Sequence, residues 1–334
     1  MSDIKFRPQK VNNETVSISG YFIPIKEIGC YLDTDDIISY WQQLEKEGFP
    51  LVQISSLLVK LDDIDRRKKK MISFLPFPMH IIKMVDAIYC AKFIKGFKQR
   101  KNCLKTGLCS LINKSVNSPS MQQNTSNEIL MKVITVTDEF RIAYVLQRLK
   151  PTLKFNTKQG PDFYFDGINI NLTVEAKSRL NRTYLGEIGI KEDMAIQLDE
   201  SICLRLLSRD AFKSGTFSKA FEEQKTDIAL INMSHSEFGD LFAAFVYIKN
   251  KGYEFEVAVN YATKLVKEGK KAVILYSEVI SNNKPYRIGA ISTDKETVYS
   301  LGAKLDKKEK DVGINERDPN YYFRIINEAR QLKL

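Results

Sequence analysis

Apolar and polar residues alternate strictly from Ile168 to Lys177. The apolar positions are Ile168, Ile170, Leu172, Val174 and Ala176, and the polar positions are Asn169, Asn171, Thr173, Glu175 and Lys177. A period of two residues is typical of a half-buried strand, because successive side chains of a strand point to opposite faces. The pattern therefore predicts a strand on which Glu175 and Lys177 lie side by side, opposite the apolar face.

A helical pattern precedes this strand, at residues 137–149. Thr137 is a suitable N-cap for the predicted helix. Apolar residues recur at i, i+3, i+4 and i+7 spacing, at Ile142, Val145, Leu146 and Leu149. Glu139 lies on or beside the inward face. It is either an acid that the helix dipole favours in the first turn or a side chain that points into a functional site.

The remainder of the C-terminal half combines short apolar runs with helical patterns. Strands are predicted at 227–233, 272–280 and 286–291, and helices at 191–207, 217–224, 238–249 and 256–268. Strands separated by helices indicate an α/β sheet, and the run at 227–233 is apolar enough for a buried parallel strand.

The N-terminal part predicts a strand pair around Val16 to Ile25 and helices near 35–48 and 79–98. The last helix carries an apolar stripe at Ile82, Val85, Tyr89 and Phe93. This stripe either packs against the rest of the region or forms a basic amphipathic helix on a membrane surface. Prolines and charges interrupt residues 71–97, so this segment is not expected to span a bilayer.

Residues 115–128 are polar and almost free of apolar side chains, which predicts a linker or a disordered loop. We therefore expect a basic, partly helical N-terminal region at 1–112, a polar linker at 113–131 and a second domain at 132–334. The N-terminal region is a candidate for target recognition or partner binding.

Candidate chemistry centres on Asp162, which follows Gly160 and Pro161, and on Glu175-Ala176-Lys177. Two carboxylates and an ammonium on a strand pair can hold a divalent metal and activate water. This arrangement resembles the PD-(D/E)xK nuclease superfamily over about residues 135–295. The resemblance implies an α/β restriction-endonuclease-like core, a mixed central sheet flanked by helices, here with an additional basic N-terminal region.

The resemblance also implies a role for each residue of the motif. Asp162 and Glu175 would bind Mg²⁺, for which Mn²⁺ can substitute, and Lys177 would orient water and stabilise transition-state charge. Glu139 would be a fourth catalytic residue on the first helix. The implied activity is metal-dependent hydrolysis of phosphodiester bonds by an endonuclease, with DNA favoured over RNA; a restriction or defence role and a repair role are both open. Such an enzyme can act as a homodimer.

A metal shared by Asp162 and Glu175 requires a particular pairing of the two strands. A two-residue turn at Asp166-Gly167 would place Asp162 opposite Asn171, about 13 Å from Glu175 at ~3.3 Å per residue. The two acids can share a metal only if Asp162 faces Glu175. We therefore predict a wider loop near 167–170. In the alternative interpretation, the segment is an edge hairpin whose charges face water.

The chain of 334 residues has a net charge of +10, which favours an anionic partner. Twelve of its basic residues lie between 66 and 105, against one acid, Asp86. Nucleic-acid contacts are predicted there, since phosphate-binding surfaces need dense positive charge. The residues are Arg66, Arg67, Lys68, Lys69, Lys70, Lys95, Lys98, Arg100 and Lys101. A solvated basic loop is the alternative.

Several classes of function are disfavoured. The five cysteines form no CxxC pair and the chain has two histidines, so zinc spacings and multi-histidine sites are not indicated. No phosphate-binding GxxxxGK[ST] motif occurs. The first thirty residues do not resemble a signal peptide, which predicts a cytoplasmic protein. Two alternatives to the nuclease remain: a non-catalytic nucleic-acid-binding protein on the same fold, and an interaction or effector protein with a basic surface.

Overall fold

The computed structural model describes residues 4–67, 76–117, 122–149, 153–158, 160–166, 171–178, 221, 225–232, 264–277, 287–292, 311–313 and 322–328. The chain divides into two compact units, with the boundary between Val145 and Leu146.

The first unit combines a small sheet with helices. After a short 3-10 helix, Ile4–Phe6, the antiparallel strands are β1 (Gln9–Lys10), β2 (Thr15–Ile18) and β3 (Tyr21–Pro24). The helices are α1 (Thr34–Lys46), α2 (Leu51–Arg67), α3 (Pro78–Cys90), a 3-10 turn (Ala91–Phe93), α4 (Phe97–Asn117) and α5 (Gln122–Leu149). The strand pair predicted around Val16 to Ile25 and the helix predicted near 35–48 are confirmed.

Helix α3 is buried on almost every side, including Lys83 and Asp86. A helix that is apolar around its circumference belongs in a core, and α3 contacts both α1 and α2. The Asp86 carboxylate accepts hydrogen bonds from the Tyr31 and Leu32 amides at 2.8 and 2.9 Å, and pairs with Arg141 at 3.0 Å. These bonds satisfy the buried charge and tie the segment after β3 to α3 and α5.

Three N-terminal expectations differ from the structure. The helix predicted near 79–98 ends at Cys90 and is followed by the 3-10 turn and by α4. The helix predicted from Thr137 begins at Gln122, so the N-cap prediction is wrong; the Thr137 hydroxyl donates to the Val133 carbonyl at 2.7 Å within α5. The linker predicted at 113–131 is helical at 113–117 and 122–131, where α4 ends and α5 begins. Burial of Ile129, Leu130 and Val133 explains why this polar stretch is helical.

The second unit is built on an eight-stranded mixed sheet in the order β10-β11-β9-β8-β7-β6-β5-β4. Its strands are β4 (Leu153–Phe155), β5 (Phe163–Asp166), β6 (Asn171–Ser178), β7 (Ile228–Asn232), β8 (Ala272–Ser277), β9 (Arg287–Ser292), β10 (Asp311–Gly313) and β11 (Tyr322–Glu328). The β6-β7 and β7-β8 pairs are parallel, and the others are antiparallel. The mixed α/β class is confirmed.

The strands predicted at 168–177, 227–233, 272–280 and 286–291 correspond to β6, β7, β8 and β9. All five residues of β7 are buried, as expected of a parallel strand at the centre of a sheet. Residues 264–267 are helical, within the helix predicted at 256–268. The predicted helices at 191–207 and 238–249, and that at 217–224 apart from Phe221, lie outside the described residues.

Within the described part of the chain, no helix has both the length and the apolar character needed to cross a bilayer.

Candidate functional site

The register of β5 and β6 brings the two motif acids to the same level of the sheet. Phe163 pairs with Val174 and Asp166 with Asn171, which places Asp162, just before β5, opposite Glu175. Regular pairing ends at the Asp166–Asn171 pair. This register excludes the two-residue turn at Asp166-Gly167, which would have placed Asp162 opposite Asn171, and the loop predicted near 167–170 lies outside the described residues.

The side chains of Asp162, Glu175 and Lys177 converge. The Lys177 ammonium donates a short hydrogen bond to Glu175 Oε1 and lies 3.9 Å from Asp162 Oδ2. Alternation along β6 explains the pairing, since Glu175 and Lys177 are two residues apart on one face. The lysine side chain is 33% exposed, whereas that of Glu175 is 1% exposed. Solvent therefore reaches the side chain of Lys177 but not that of Glu175.

Glu175 carries an incompletely satisfied charge. Its Oε2 atom is buried and accepts no hydrogen bond from the described residues. Burial, followed by the negative charge of Asp162, raises the pKa of Glu175, and the bond and charge of Lys177 oppose this only in part. A buried acid with a second acid beside it is a site where a cation would relieve both desolvation and repulsion.

Asp162 is held by the backbone around it. Its Oδ2 accepts a hydrogen bond from the Ala176 amide at 2.9 Å, and its carbonyl accepts one from the Asn156 amide at 3.0 Å. Asn156 Oδ1 in turn accepts from the Lys158 amide at 3.0 Å. Gly160 has a φ of +138°, and a Cβ there would lie 3.2 Å from Asn156 Nδ2. The positive φ and this close contact explain why a glycine precedes Pro161 and Asp162.

A polar contact joins β6 to β7 one step along the same face. Asp227 Oδ2 accepts from the amide and the hydroxyl of Thr173 at 2.9 and 2.8 Å, and Asp227 pairs with Lys271 at 2.8 Å. Burial would raise the pKa of Asp227, but the bonds from Lys271 and Thr173 outweigh it and the pKa is lowered. This contact fixes the alignment of β6 with the start of β7, and therefore the position of Glu175 along the sheet.

Sequence reasoning missed one cation of this region, Lys270. The Glu268-Gly269-Lys270 triplet has the same acid-x-Lys spacing as Glu175-Ala176-Lys177, and its Glu268 is exposed. Lys270 is half-buried instead, and its Nζ donates to the carbonyl and hydroxyl of Thr226 at 2.8 and 2.9 Å. Burial lowers its pKa, against the opposing charges of Glu175 and Asp227. Gly269 has a φ of +109° and forms the turn between the helical residues 264–267 and β8.

Glu139, the fourth candidate, lies in the first unit. Both of its carboxylate oxygens accept hydrogen bonds from Arg100, the second of them at 2.8 Å. The pair is partly buried, with side chains 29% and 16% exposed. Glu139 thus has a structural partner, and its catalytic role stays a prediction.

The structure separates the predicted nucleic-acid contacts into three groups. Lys95 and Lys98 are exposed. Arg100 pairs with Glu139, and Lys101 pairs with Glu47 at 2.6 Å, so both stabilise the first unit. The side chains of Arg66, Arg67, Lys68, Lys69 and Lys70 lie outside the described residues.

The donor set of the site fits a hard divalent cation. Among the described residues, no group of three or more metal-ligating side chains lies together. Mg²⁺ is commonly held by one or two carboxylates while it keeps several waters, so two acids suffice. The supporting observation is the buried Oε2 of Glu175, which accepts no hydrogen bond from the described residues, together with the repulsion between the Glu175 and Asp162 charges.

Comparison with protein-family models, with curated proteins and with solved structures finds no match to this chain.

Proposed function

We propose that the protein is a metal-dependent nuclease of the PD-(D/E)xK type, with Asp162, Glu175 and Lys177 as its active site. The observation that carries the proposal is the convergence of these three side chains, in which Lys177 contacts Glu175 Oε1 and lies 3.9 Å from Asp162 while the buried Oε2 of Glu175 accepts no hydrogen bond from the described residues. The mixed sheet supports a restriction-endonuclease-like core, because β6 carries the motif between antiparallel β5 and parallel β7.

Held by Asp162 and Glu175, Mg²⁺ or Mn²⁺ would polarise the scissile phosphate and lower the pKa of water. Lys177 is the group that would reach substrate, since its ammonium contacts Glu175, lies 3.9 Å from Asp162, and belongs to a side chain that is a third exposed. It would donate to a phosphate oxygen and offset the charge that develops in the transition state. Water would then add to phosphorus and lose a proton to solvent, the P–O bond to the leaving oxygen would break, and that oxygen would take up a proton from solvent.

The proposal is tested by incubating the full chain with plasmid DNA, linear DNA and RNA, with Mg²⁺, Mn²⁺ or chelator. We expect cleavage with either metal and none with chelator. Lys177→Ala should lower the cleavage rate by about 100-fold or more, because one preorganised charge in an active site contributes that much, while binding of nucleic acid is largely retained.

Lys264→Ala is the matched control, since Lys264 is exposed and pairs only with the exposed Glu268 at 3.3 Å in the described structure. Its cleavage rate should equal that of the parent. Salt-sensitive binding with no cleavage in any metal would instead identify a nucleic-acid-binding protein, and absence of binding would favour an interaction protein. Cleavage by Lys177→Ala at the parental rate would remove the lysine from the mechanism.

A further inference from the structure

An aromatic side chain projects into solvent within the most basic part of the first unit. Phe93, at the end of the 3-10 turn, is 85% exposed, whereas its neighbour Ile94 is 4% exposed. The sequence predicts that Phe93 belongs to an apolar helical stripe with Ile82 and Val85, either packed or on a membrane surface, but α3 ends at Cys90 and the stripe ends with it. Phe93 is therefore available to a partner.

The backbone around Phe93 is held in one conformation. The Ile94 amide donates to the Ala91 carbonyl, and the Phe97 amide donates to the Ile94 carbonyl, both at 3.0 Å. Gly96 has a φ of +85°, which completes the turn into α4. Because Ile94 is buried, the turn is anchored in the core, and little ordering would be required when Phe93 meets a ligand.

The chain segment around Phe93 contains only basic charged residues, and two of them, Arg100 and Lys101, pair with Glu139 and Glu47. Between Ala87 and Asn127 the sequence contains no acidic residue and seven basic ones: Lys92, Lys95, Lys98, Arg100, Lys101, Lys105 and Lys114. Lys95 and Lys98 are exposed, and the Lys92 ammonium lies 5.0 Å from the Phe93 ring centroid. Lys98 is five residues from Phe93, so their Cα atoms are within about 18 Å. A segment of this length is long enough to contact several consecutive nucleotides.

From these observations we infer that Phe93, Lys95 and Lys98, here called the Phe93 patch, bind single-stranded nucleic acid. An unpaired base stacks on the Phe93 ring, and the two lysines contact the phosphates on either side. An exposed aromatic ring with flanking cations is the recurring means of binding single strands. Duplex bases are already stacked on one another and cannot use the ring. A membrane surface is less suitable, because insertion needs a wider apolar face than one phenylalanine.

This inference rests on the proposed function for its choice of polymer, so the test measures binding without cleavage. Fluorescence anisotropy is recorded with a labelled thymidine oligonucleotide of about 16 nucleotides, in chelator. Phe93→Ala should weaken binding about tenfold, the typical effect of losing one stacked base. Its affinity for a duplex of equal length should be unchanged.

Phe22→Ala is the matched control, because Phe22 is also exposed, at 66%, on β3. It should bind the oligonucleotide as the parent does. The double variant Lys95→Ala/Lys98→Ala should flatten the slope of log affinity against log salt by about 1.4, at ~0.7 per phosphate contact. Lys60→Ala, an exposed lysine on α2, should leave the slope unchanged.

The inference is overturned if Phe93→Ala and Phe22→Ala bind the oligonucleotide equally, or if Phe93→Ala weakens duplex binding to the same extent. It is also overturned if Phe93→Ala affects only sedimentation with phosphatidylserine vesicles. If the parent protein binds the oligonucleotide as predicted but cleaves no nucleic acid, the result counts against the proposed active site and not against the Phe93 patch.

Discussion

Replacing Glu175 by glutamine should stabilise the protein in chelator and destabilise it, relative to the parent, in metal. The buried carboxylate has one oxygen without a hydrogen-bond partner among the described residues, and such a group costs about 1–3 kcal/mol. Glutamine removes the charge and its repulsion with Asp162. It also loses the ion pair with the one-third-exposed Lys177, worth about 1 kcal/mol or less. The net expectation is a gain of about 1 kcal/mol.

Metal should reverse this order. A cation at 100 times its dissociation constant stabilises the folded parent by about 2.7 kcal/mol, and Glu175→Gln should gain little. Unfolding is followed by differential scanning calorimetry, because the single tryptophan, Trp41, lies in the first unit and would not report on the sheet. Glu268→Gln is the control, since Glu268 is exposed, and it should respond to metal as the parent does.

The contribution of Glu175 to the stability of the folded parent should depend on pH with a definite sign. Burial first, and Asp162 second, raise the pKa of Glu175 in the folded protein, so the folded state holds this proton more tightly than the unfolded state. The parent should lose stability as the pH rises from the unfolded pKa to the folded one. Glu175→Gln should lack this loss. A variant less stable than the parent in chelator, with the same pH dependence, would refute the reasoning.

Two further substitutions test the scaffold. Asp86→Ala should cost about 3–5 kcal/mol in denaturant unfolding of the first unit, because it leaves Arg141 buried without its acid. Asp35→Ala, at a side chain 71% exposed, should cost under about 0.5 kcal/mol, and similar losses for both would contradict the buried-pair account. Gly160→Ala should lower stability and metal affinity, since its Cβ would approach Asn156 to 3.2 Å. Gly20→Ala, also at positive φ but with nothing within 4 Å, should retain metal affinity, and equal metal binding by both would show that the contact is unimportant.

The central strands were predictable because their signals are local. Alternation defined β6, and the apolar run at 227–233 defined β7. The register of β5 against β6 followed from a chemical requirement, that Asp162 face Glu175, and the pairing agrees with it. Strands β10 and β11 were not predicted, since β10 has only three residues and the alternation along β11 is interrupted where its register against β9 shifts, between Ile325 and Asn327.

Other features depended on contacts that periodicity does not reveal. The polar composition at 115–128 indicated a linker, but tertiary burial of residues such as Ile129 overrides weak local propensity and α5 begins at Gln122. Arg100 and Lys101 looked like free phosphate ligands. Their acids, Glu139 and Glu47, are 39 and 54 residues away, so no local pattern indicates the pairing.

The most direct test of the metal-dependent active site is a titration with Mn²⁺ followed by electron paramagnetic resonance, without nucleic acid. The parent should bind Mn²⁺, and Asp162→Asn and Glu175→Gln should each abolish that binding while remaining folded by circular dichroism. Mn²⁺ bound equally by the parent and both variants would show that these carboxylates hold no metal, and would contradict the proposed site.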